Sequence, residues 1–283
     1  MIKRNTHQFV GKLEISKTFA FVVISNAKIH FDVFINSKEI KKHNLKNGQL
    51  VVCNIDDWGD KKTNPSGSIK EVLGYPGEHH AEIYSILAEY NIDKTFDENI
   101  EEKAKNISQK ITKEEIKSRR DFRPVTTFTI DPFDAKDFDD ALSIKKLKND
   151  NYEIGVHIAD VSHYVLENDI IDKEAQERAT SIYLVDRVIP MLPEILSNNL
   201  CSLRPNEEKL CFSAVFEINM DGKILNEWFG KTVILSDRRF TYEEAQERIE
   251  NKEGDYSSEL ILLNEIAKIL REERTKKGAI SFH

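Results

Sequence analysis

Between Thr129 and Ile144 the chain reads Thr-Ile-Asp-Pro-Phe-Asp-Ala-Lys-Asp-Phe-Asp-Asp-Ala-Leu-Ser-Ile, which sets Asp131, Asp134, Asp137, Asp139 and Asp140 within ten positions. Acid runs usually sit on solvated faces or in tails, among Lys, Ser and Glu. Here Phe128 and Ile130 precede the acids and Ala141, Leu142 and Ile144 follow them. The flanks therefore read as strands entering a core. Two carboxylates about 4 Å apart repel by roughly 4 kcal/mol at an effective dielectric near 20, so such a group titrates as a coupled set unless a cation joins it. Oxygen-only ligands suit Mg²⁺, Mn²⁺ or Ca²⁺, and the stretch holds no His or Cys to suggest zinc. In an extended chain Asp137 and Asp139 point the same way, while Asp140 points across a turn.

Two plainer readings compete. A calcium loop of the EF-hand type needs Gly at its sixth position and Glu at its twelfth. Counting from Asp131, those positions hold Lys136 and Leu142, so that reading fails. An isolated D-x-D-D is more often an acid-rich surface turn than a site. The sixteen-residue pattern is far longer than that. It resembles the catalytic segment of the ribonuclease II / ribonuclease R family, T-I-D-x-x-x-A-x-D-F-D-D-A, as Thr129-Ile130-Asp131, Ala135 and Asp137-Phe138-Asp139-Asp140-Ala141. The resemblance continues through Gly155–Tyr164, Tyr183–Pro193 and Leu196–Leu203, and covers nearly all of the chain after about residue 122.

What the resemblance implies is an enzyme: a Mg²⁺-dependent exoribonuclease, with Mn²⁺ as the substitute, that hydrolyses single-stranded RNA from 3′ to 5′ and releases nucleoside 5′-monophosphates. Asp131, Asp137, Asp139 and Asp140 are the implied metal ligands, with Asp139 and Asp140 at the catalytic centre and Asp139 the indispensable member. Phosphodiester hydrolysis needs an activated water and a stabilised leaving oxygen, which two divalent ions supply together. Asp134 has no counterpart in the family. Tyr183 matches a position where a ring packs on the terminal nucleotide, and Tyr242 matches another base-contacting position. Apart from the resemblance, a lone Tyr is more often half-buried core. His157 and His163, flanking Asp160, are read as structural.

The first seventy residues carry 12 Lys+Arg against 6 Asp+Glu, and the remainder 29 against 43, within a net charge of −8. A basic module feeding an acidic one fits a phosphate grip joined to a metal site. Five short strands are expected, around Phe9–Ser16, Phe19–Ser25, Asp32–Asn36, Gln49–Asp56 and Gly67–Leu73, with turns at Ser25-Asn26, Asn47-Gly48 and Asp60–Gly67. That count suits a small closed barrel of the OB type. Lys17–Val22 and Asp32–Asn36 resemble the two nucleic-acid-binding motifs of cold-shock domains, which implies that Phe19, Phe21 and Phe34 stack RNA bases, with Phe31 nearby. Val22, Val23, Val33 and Ile35 are then left for the interior. Where the cold-shock pattern has glycines, this chain has Thr18 and Ala20.

The expected architecture is α+β: a five-stranded OB-type barrel over 1–75, a helical connector over 76–121 in which Thr112-Lys-Glu-Glu115 forms a capping box, and a mixed α+β catalytic domain over 122–283. Helices are expected over Asp172–Ala179, Thr241–Glu250 and Ser257–Lys276. At 283 residues and 40 % hydrophobic, with no apolar run of membrane-spanning length and no leader, a soluble cytoplasmic monomer with no small-molecule cofactor is expected. Cys53, Cys201 and Cys211 lack metal spacing and read as core residues in a reducing compartment. Ending at His283, the chain stops about halfway through the family's usual catalytic domain and lacks the C-terminal OB-type domain and the first cold-shock domain that the family carries. The alternative reading is therefore a catalytically incomplete RNA-binding fragment, with apolar surface exposed along Leu260–Leu270.

Overall fold

The computed structural model describes residues 8–17, 19–60 and 63–280, in two compact units that divide between Phe96 and Asp97. Thr18, Lys61, Lys62 and the last three residues of the Arg274–His283 stretch lie outside the described residues.

The first unit runs β1 (Gln8–Ile15), β2 (Phe19–Ile24), β3 (Val33–Asn36), α1 (Ser37–Lys42), β4 (Leu50–Asp57), β5 (Ser66–Gly74) and α2 (His79–Glu89). The five strands close into a barrel in the order β1-β2-β3-β5-β4, the OB arrangement. Alternation dictates its inside. Ala20, Val22, Val33 and Ile35 are fully buried with Leu13, Val51 and Cys53, while Phe19, Phe21 and Phe34 take the opposite face. Ala20 fills the inner position expected for Val23, which is exposed. Phe31 also departs from expectation: its ring packs edge-on against Phe9 and Trp58 at the border of the core, centroids 5.7 Å from each. The seam of the barrel is a short parallel pairing of β3 with β5, Phe34 opposite Ser66 and Ile35 opposite Gly67, with Phe34 N donating to Pro65 O at 2.8 Å. Gly67 is required there, because a Cβ would stand 2.0 Å from Asn54 O. Helix α2 packs on β1, β4 and β5, so the expected connector 76–121 straddles the division between the units.

The second unit begins with α3 (Glu98–Lys105) and α4 (Lys113–Ser118). Thr112 caps α4 by accepting from Glu115 N at 3.1 Å, but only half of the expected box forms, since Glu115 Oε1 accepts from Arg119 Nε at 2.7 Å instead. There follow β6 (Arg120–Asp121), β7 (Thr127–Asp131), β8 (Asp140–Lys146), β9 (Tyr152–Ala159), α5 (Val161–Tyr164), α6 (Ile170–Arg178), β10 (Ile182–Tyr183), β11 (Val188–Ile189) and a π-helical turn at Leu196–Leu200. The unit ends with β12 (Glu208–Ile218), β13 (Ile224–Leu235), β14 (Arg238–Thr241), α7 (Tyr242–Asn251) and α8 (Ser257–Lys276). Seven strands form one mixed sheet in the order β14-β7-β8-β9-β12-β13-β6. Thr241 and Glu244 complete a reciprocal capping box that starts α7 straight off β14.

Helix α8 corrects one expectation. Leu260 and Ile266 are buried, the first against Phe128, Phe240 and Ala245, the second against Ile144, Ile154 and Ile218, so Leu260–Leu270 is a packing face and not an open one. Exposed apolar residues lie instead at Ile158, Phe212 and Phe229. Ile158 stands opposite both Asp140 and Phe212 in the strand register.

His157 anchors a buried polar ladder across the middle of the sheet. Its Nε2 lies 2.8 Å from Ser143 Oγ on β8 and its Nδ1 2.7 Å from Ser213 Oγ on β12, which in turn lies 2.6 Å from Thr232 Oγ1 on β13. Every polar atom of the imidazole is thereby used, which is the condition for burying it. Asp160 is likewise structural. It forms a buried ion pair with Arg119 at 2.7 Å, a charge contact and not an aligned hydrogen bond, and accepts from Ser162 Oγ at 2.8 Å. His163, whose backbone N–H donates to Asp160 O at 3.0 Å, places its ring 3.8 Å from Glu115 on the rim of the same network.

Burial, aided by the Arg120 charge, pulls the His157 pKa down from 6.5 to about 4. The unfolded imidazole takes up a proton below about 6.5 while the buried one stays neutral, so the unfolded state binds more protons and stability falls as pH drops through that window. Urea midpoints should fall between pH 6.5 and 4 by the equivalent of on the order of 3 kcal/mol. His157→Gln should lose this component of the slope. An unchanged slope in the variant would assign the acid sensitivity to other groups.

Candidate functional site

Strands β7 and β8 are antiparallel neighbours, pairing Thr127 with Ser143 and Phe128 with Leu142. Antiparallel pairing brings the last residue of β7, Asp131, and the first of β8, Asp140, to one end of the sheet, and residues 132–139 form the loop between them. Strand β14 runs parallel to β7 with Thr241 opposite Asp131, so Tyr242, the first residue of α7, stands at that same end. Strand register thus places Asp131, Asp140 and Tyr242 at one end, and the loop between the strands adds Asp137 and Asp139.

The loop is tied at several points. Ala135 N donates to Pro132 O at 3.1 Å, Leu203 N to Phe138 O at 2.8 Å and Ala159 N to Asp139 O at 3.0 Å. Ser202 Oγ accepts from Phe138 N at 3.1 Å and donates to Lys136 O at 3.0 Å. Arg239 Nη2 donates to the carbonyls of Pro132 and Phe133, and its guanidinium lies 5.5 Å over the Phe138 ring. Ser202 lies within the Leu196–Leu203 motif and Arg239 beside Tyr242, yet neither was expected to act. Their role depends on contacts 64 and 106 residues away in sequence, which no local pattern encodes.

Asp131 is 8 % exposed, and its Oδ2 is buried with no hydrogen-bond partner among the described residues. Thr129 Oγ1 is also buried without an aligned partner; its nearness eases the Asp131 carboxylate without forming a well-directed bond. Burial pushes the Asp131 pKa up, and the charges of Asp140 and Asp137 add to the rise against the pull of Arg239. Asp139 is open to solvent in area, yet desolvation by the surrounding protein is the first cause of its own raised pKa, followed by the charges of Asp137, Asp140 and Asp131. Tyr183 is 69 % exposed and its hydroxyl lies 3.5 Å from Asp137 Oδ2, a long contact; the Asp137 charge is the first cause that raises its pKa. Tyr242 is 57 % exposed. Asp134 sits exposed in the same loop.

Asp131, Asp137, Asp139 and Asp140 are therefore close enough to perturb one another. Among the described residues, no three His, Cys, Asp or Glu groups form a ready-made metal cluster, so the acids are neighbours and not a closed ligand sphere. A buried carboxylate oxygen lacking any donor, next to like charges that offer only oxygen, fits a hard divalent cation. Mg²⁺ is commonly held in this open fashion, through one or two carboxylates with water and substrate phosphate completing the shell.

In the first unit, Phe19, Phe21 and Phe34 form a triangle of rings outside the barrel, with centroids 5.6, 5.8 and 6.1 Å apart. Phe21 lies directly across from Phe34 in the strand register. Phe19 is 37 % exposed.

Residues 119–283 match the RNB domain, more than half of the chain. The chain belongs to the RNB family. Residues 21–97 match the Cold shock domain, which accords with the barrel and its outer rings. Over 298 residues the chain is 36 % identical to Ribonuclease R 1 of Lactococcus lactis, covering 100 % of this chain and 36 % of that protein. It is 38 % identical over 287 residues to Ribonuclease R of Thermotoga maritima, covering 99 % of this chain and 40 % of the relative. This RNB chain thus spans well under half the length of these curated relatives. Among solved structures, Mycoplasma genitalium RNase R in complex with ribose methylated single-stranded RNA superposes with a TM-score of 0.91 at 27 % identity, covering 100 % of this chain and 45 % of that one. No described helix is long and apolar enough to cross a membrane.

Repulsion at the RNB acid cluster carries a direct consequence for stability. In metal-free protein at pH 7, Asp139→Asn should melt a few degrees above wild type, because one repelling charge is gone. Added Mg²⁺ should raise the wild-type midpoint and leave that of the variant in place. Scanning fluorimetry reads both; a variant that melts lower without metal would mean that the protein itself satisfies the Asp139 carboxylate.

Proposed function

We propose that this chain carries the RNA-gripping barrel and the acidic half-site of a 3′→5′ exoribonuclease that hydrolyses single-stranded RNA to nucleoside 5′-monophosphates with Mg²⁺. The observation that carries the reading is the buried, unpartnered Asp131 Oδ2 at the tip of the β7–β8 hairpin, beside the charges of Asp137, Asp139 and Asp140. A bound divalent ion supplies a positive charge for the scissile phosphate and an acidified water as nucleophile. Asp131, Asp137, Asp139 and Asp140 are the residues that would hold it, with Asp139 the indispensable one. Asp131 presents its free oxygen from a rigid strand end, and Asp139 presents its carboxylate from a loop whose backbone is hydrogen-bonded at both limbs. Such pre-organisation matters because phosphoryl transfer is governed by positioning and charge. The exposed Tyr183 ring packs on the terminal nucleotide, where its reach toward Asp137 aligns the 3′ end with the acids, and Tyr242 contacts a neighbouring base.

RNA binding is assigned in part to the barrel. Three rings on one outer face, two of them directly cross-strand, form a stacking platform for unpaired bases. Stacking reads no sequence, so the preference is for single strands of any composition. Single-stranded RNA is accordingly the partner, the protein acts as a monomer, and the three buried free cysteines accord with a cytoplasmic setting.

A time course on 5′-labelled single-stranded RNA tests the reading. With Mg²⁺ a ladder should shorten from the 3′ end, and EDTA or Asp139→Asn should abolish it. RNA that is bound but left intact by the wild-type chain would make this chain a binding fragment whose chemistry needs further polypeptide.

Phe21→Ala should weaken RNA binding by roughly 1–3 kcal/mol, the usual worth of one base stacked on an aromatic ring, with the melting midpoint of the protein unchanged. Fluorescence anisotropy with a labelled oligonucleotide reads the affinity. Equal affinity for the variant would remove Phe21 from the platform.

A further inference from the structure

We propose that Arg239 is the positioning residue of the aspartate loop: its guanidinium ties the two limbs of residues 132–139 together and so makes Asp131, Asp137 and Asp139 converge on one cation. The proposal rests on the divalent-cation reading of the site.

Arg239 stands on β14, opposite Thr129 in the parallel pairing with β7, two residues short of the pair Thr241–Asp131. From there Nη2 gives one N–H to Pro132 O and the other to Phe133 O, at the outgoing limb of the loop. The flat of the guanidinium covers the ring of Phe138, at the returning limb, 5.5 Å from its centroid. One side chain therefore touches both ends of the turn that carries the acids. Nε is buried with no partner among the described residues. A buried donor left unused costs free energy, so the rest of the contact set must hold the group in place. Lysine has neither the fork nor the flat face needed to make these contacts at once.

The sign of the charge makes the role distinctive. A cation beside a cation site opposes metal binding by simple Coulomb repulsion. If Arg239 acted only through its charge, removing it would tighten binding. If it acts through geometry, removing it loosens the loop and weakens binding, and Arg239→Lys, which keeps the charge, weakens it too.

The test uses the full chain with Arg239→Gln and Arg239→Lys, after melting curves confirm that both fold. Calorimetric titration with Mn²⁺ alone should show affinity about tenfold lower than wild type in each variant, the usual cost of losing a group that orients a ligand. Hydrogen exchange of the metal-free protein gives an independent readout. The amides of Ala135 and Phe138 should exchange faster in both variants, while that of Val156 in β9 stays protected. Tighter or equal Mn²⁺ binding, or unchanged exchange at Ala135 and Phe138, would overturn the proposal. A wild-type chain that binds no Mn²⁺ would instead fell the cation reading of the site, and the exchange comparison would then decide by itself whether Arg239 holds the loop.

Discussion

Mutual repulsion among aspartates at the tip of one β-hairpin is the constraint on which the second unit depends. Asp131 ends one strand and Asp140 begins the next, so register forces them together, and the short loop between adds Asp137 and Asp139. A flexible support would let such charges drift apart, since each moves downhill by doing so. The surrounding fold prevents that. The hairpin is flanked by β9 on one side and β14 on the other, and the loop backbone is held by Ser202, Leu203, Ala159 and Arg239. Below the acids, the ladder from Ser143 through His157 and Ser213 to Thr232 links four neighbouring strands by directional bonds.

Much of this was legible in the sequence for specific reasons. Five barrel strands were readable because period-2 alternation separates Ala20 and Val22 from Phe19 and Phe21, and the same alternation turned the three rings to the outer face. The acid cluster was readable because its members are contiguous and flanked by strand residues. Where sequence reasoning failed, the deciding contact was distant. Val23 sits outside because β2 keeps its alternation, Phe31 turns inward because Phe9 and Trp58 await it, and Glu115 abandons its cap for Arg119. Leu260–Leu270 looked open only because the sheet that covers it lies far back in the chain. Arg239 and Ser202 belong to the same class, for their contacts run between segments that strand order and the π-helical turn bring together.

The two units also separate two kinds of work. On the proposed reading the barrel works through its surface: rings outside the core cluster are displayed by strands whose other face is the core. In the second unit, function is an interior debt, a buried carboxylate oxygen without a donor. A platform of rings binds whatever stacks, whereas an unsatisfied acid is selective for charge and size. Promiscuity and selectivity are thus assigned to different folds within one chain.

The parallel seam of the barrel bears on how the chain matures during synthesis. Phe19, Phe21 and Phe34 all precede Ser37, so the three rings leave the ribosome well before Ser66–Gly74 does. Until that last strand arrives, Val33 and Ile35 lack half of their enclosure and Phe34 lacks the backbone bond to Pro65. Closing the seam brings together strands distant in sequence, which is slower than folding a hairpin. The nascent chain therefore carries its aromatic residues for a time without the floor that fixes them. The floor beneath the ring face is complete only after residue 74 has been made, at a junction where nothing larger than glycine can stand opposite Ile35.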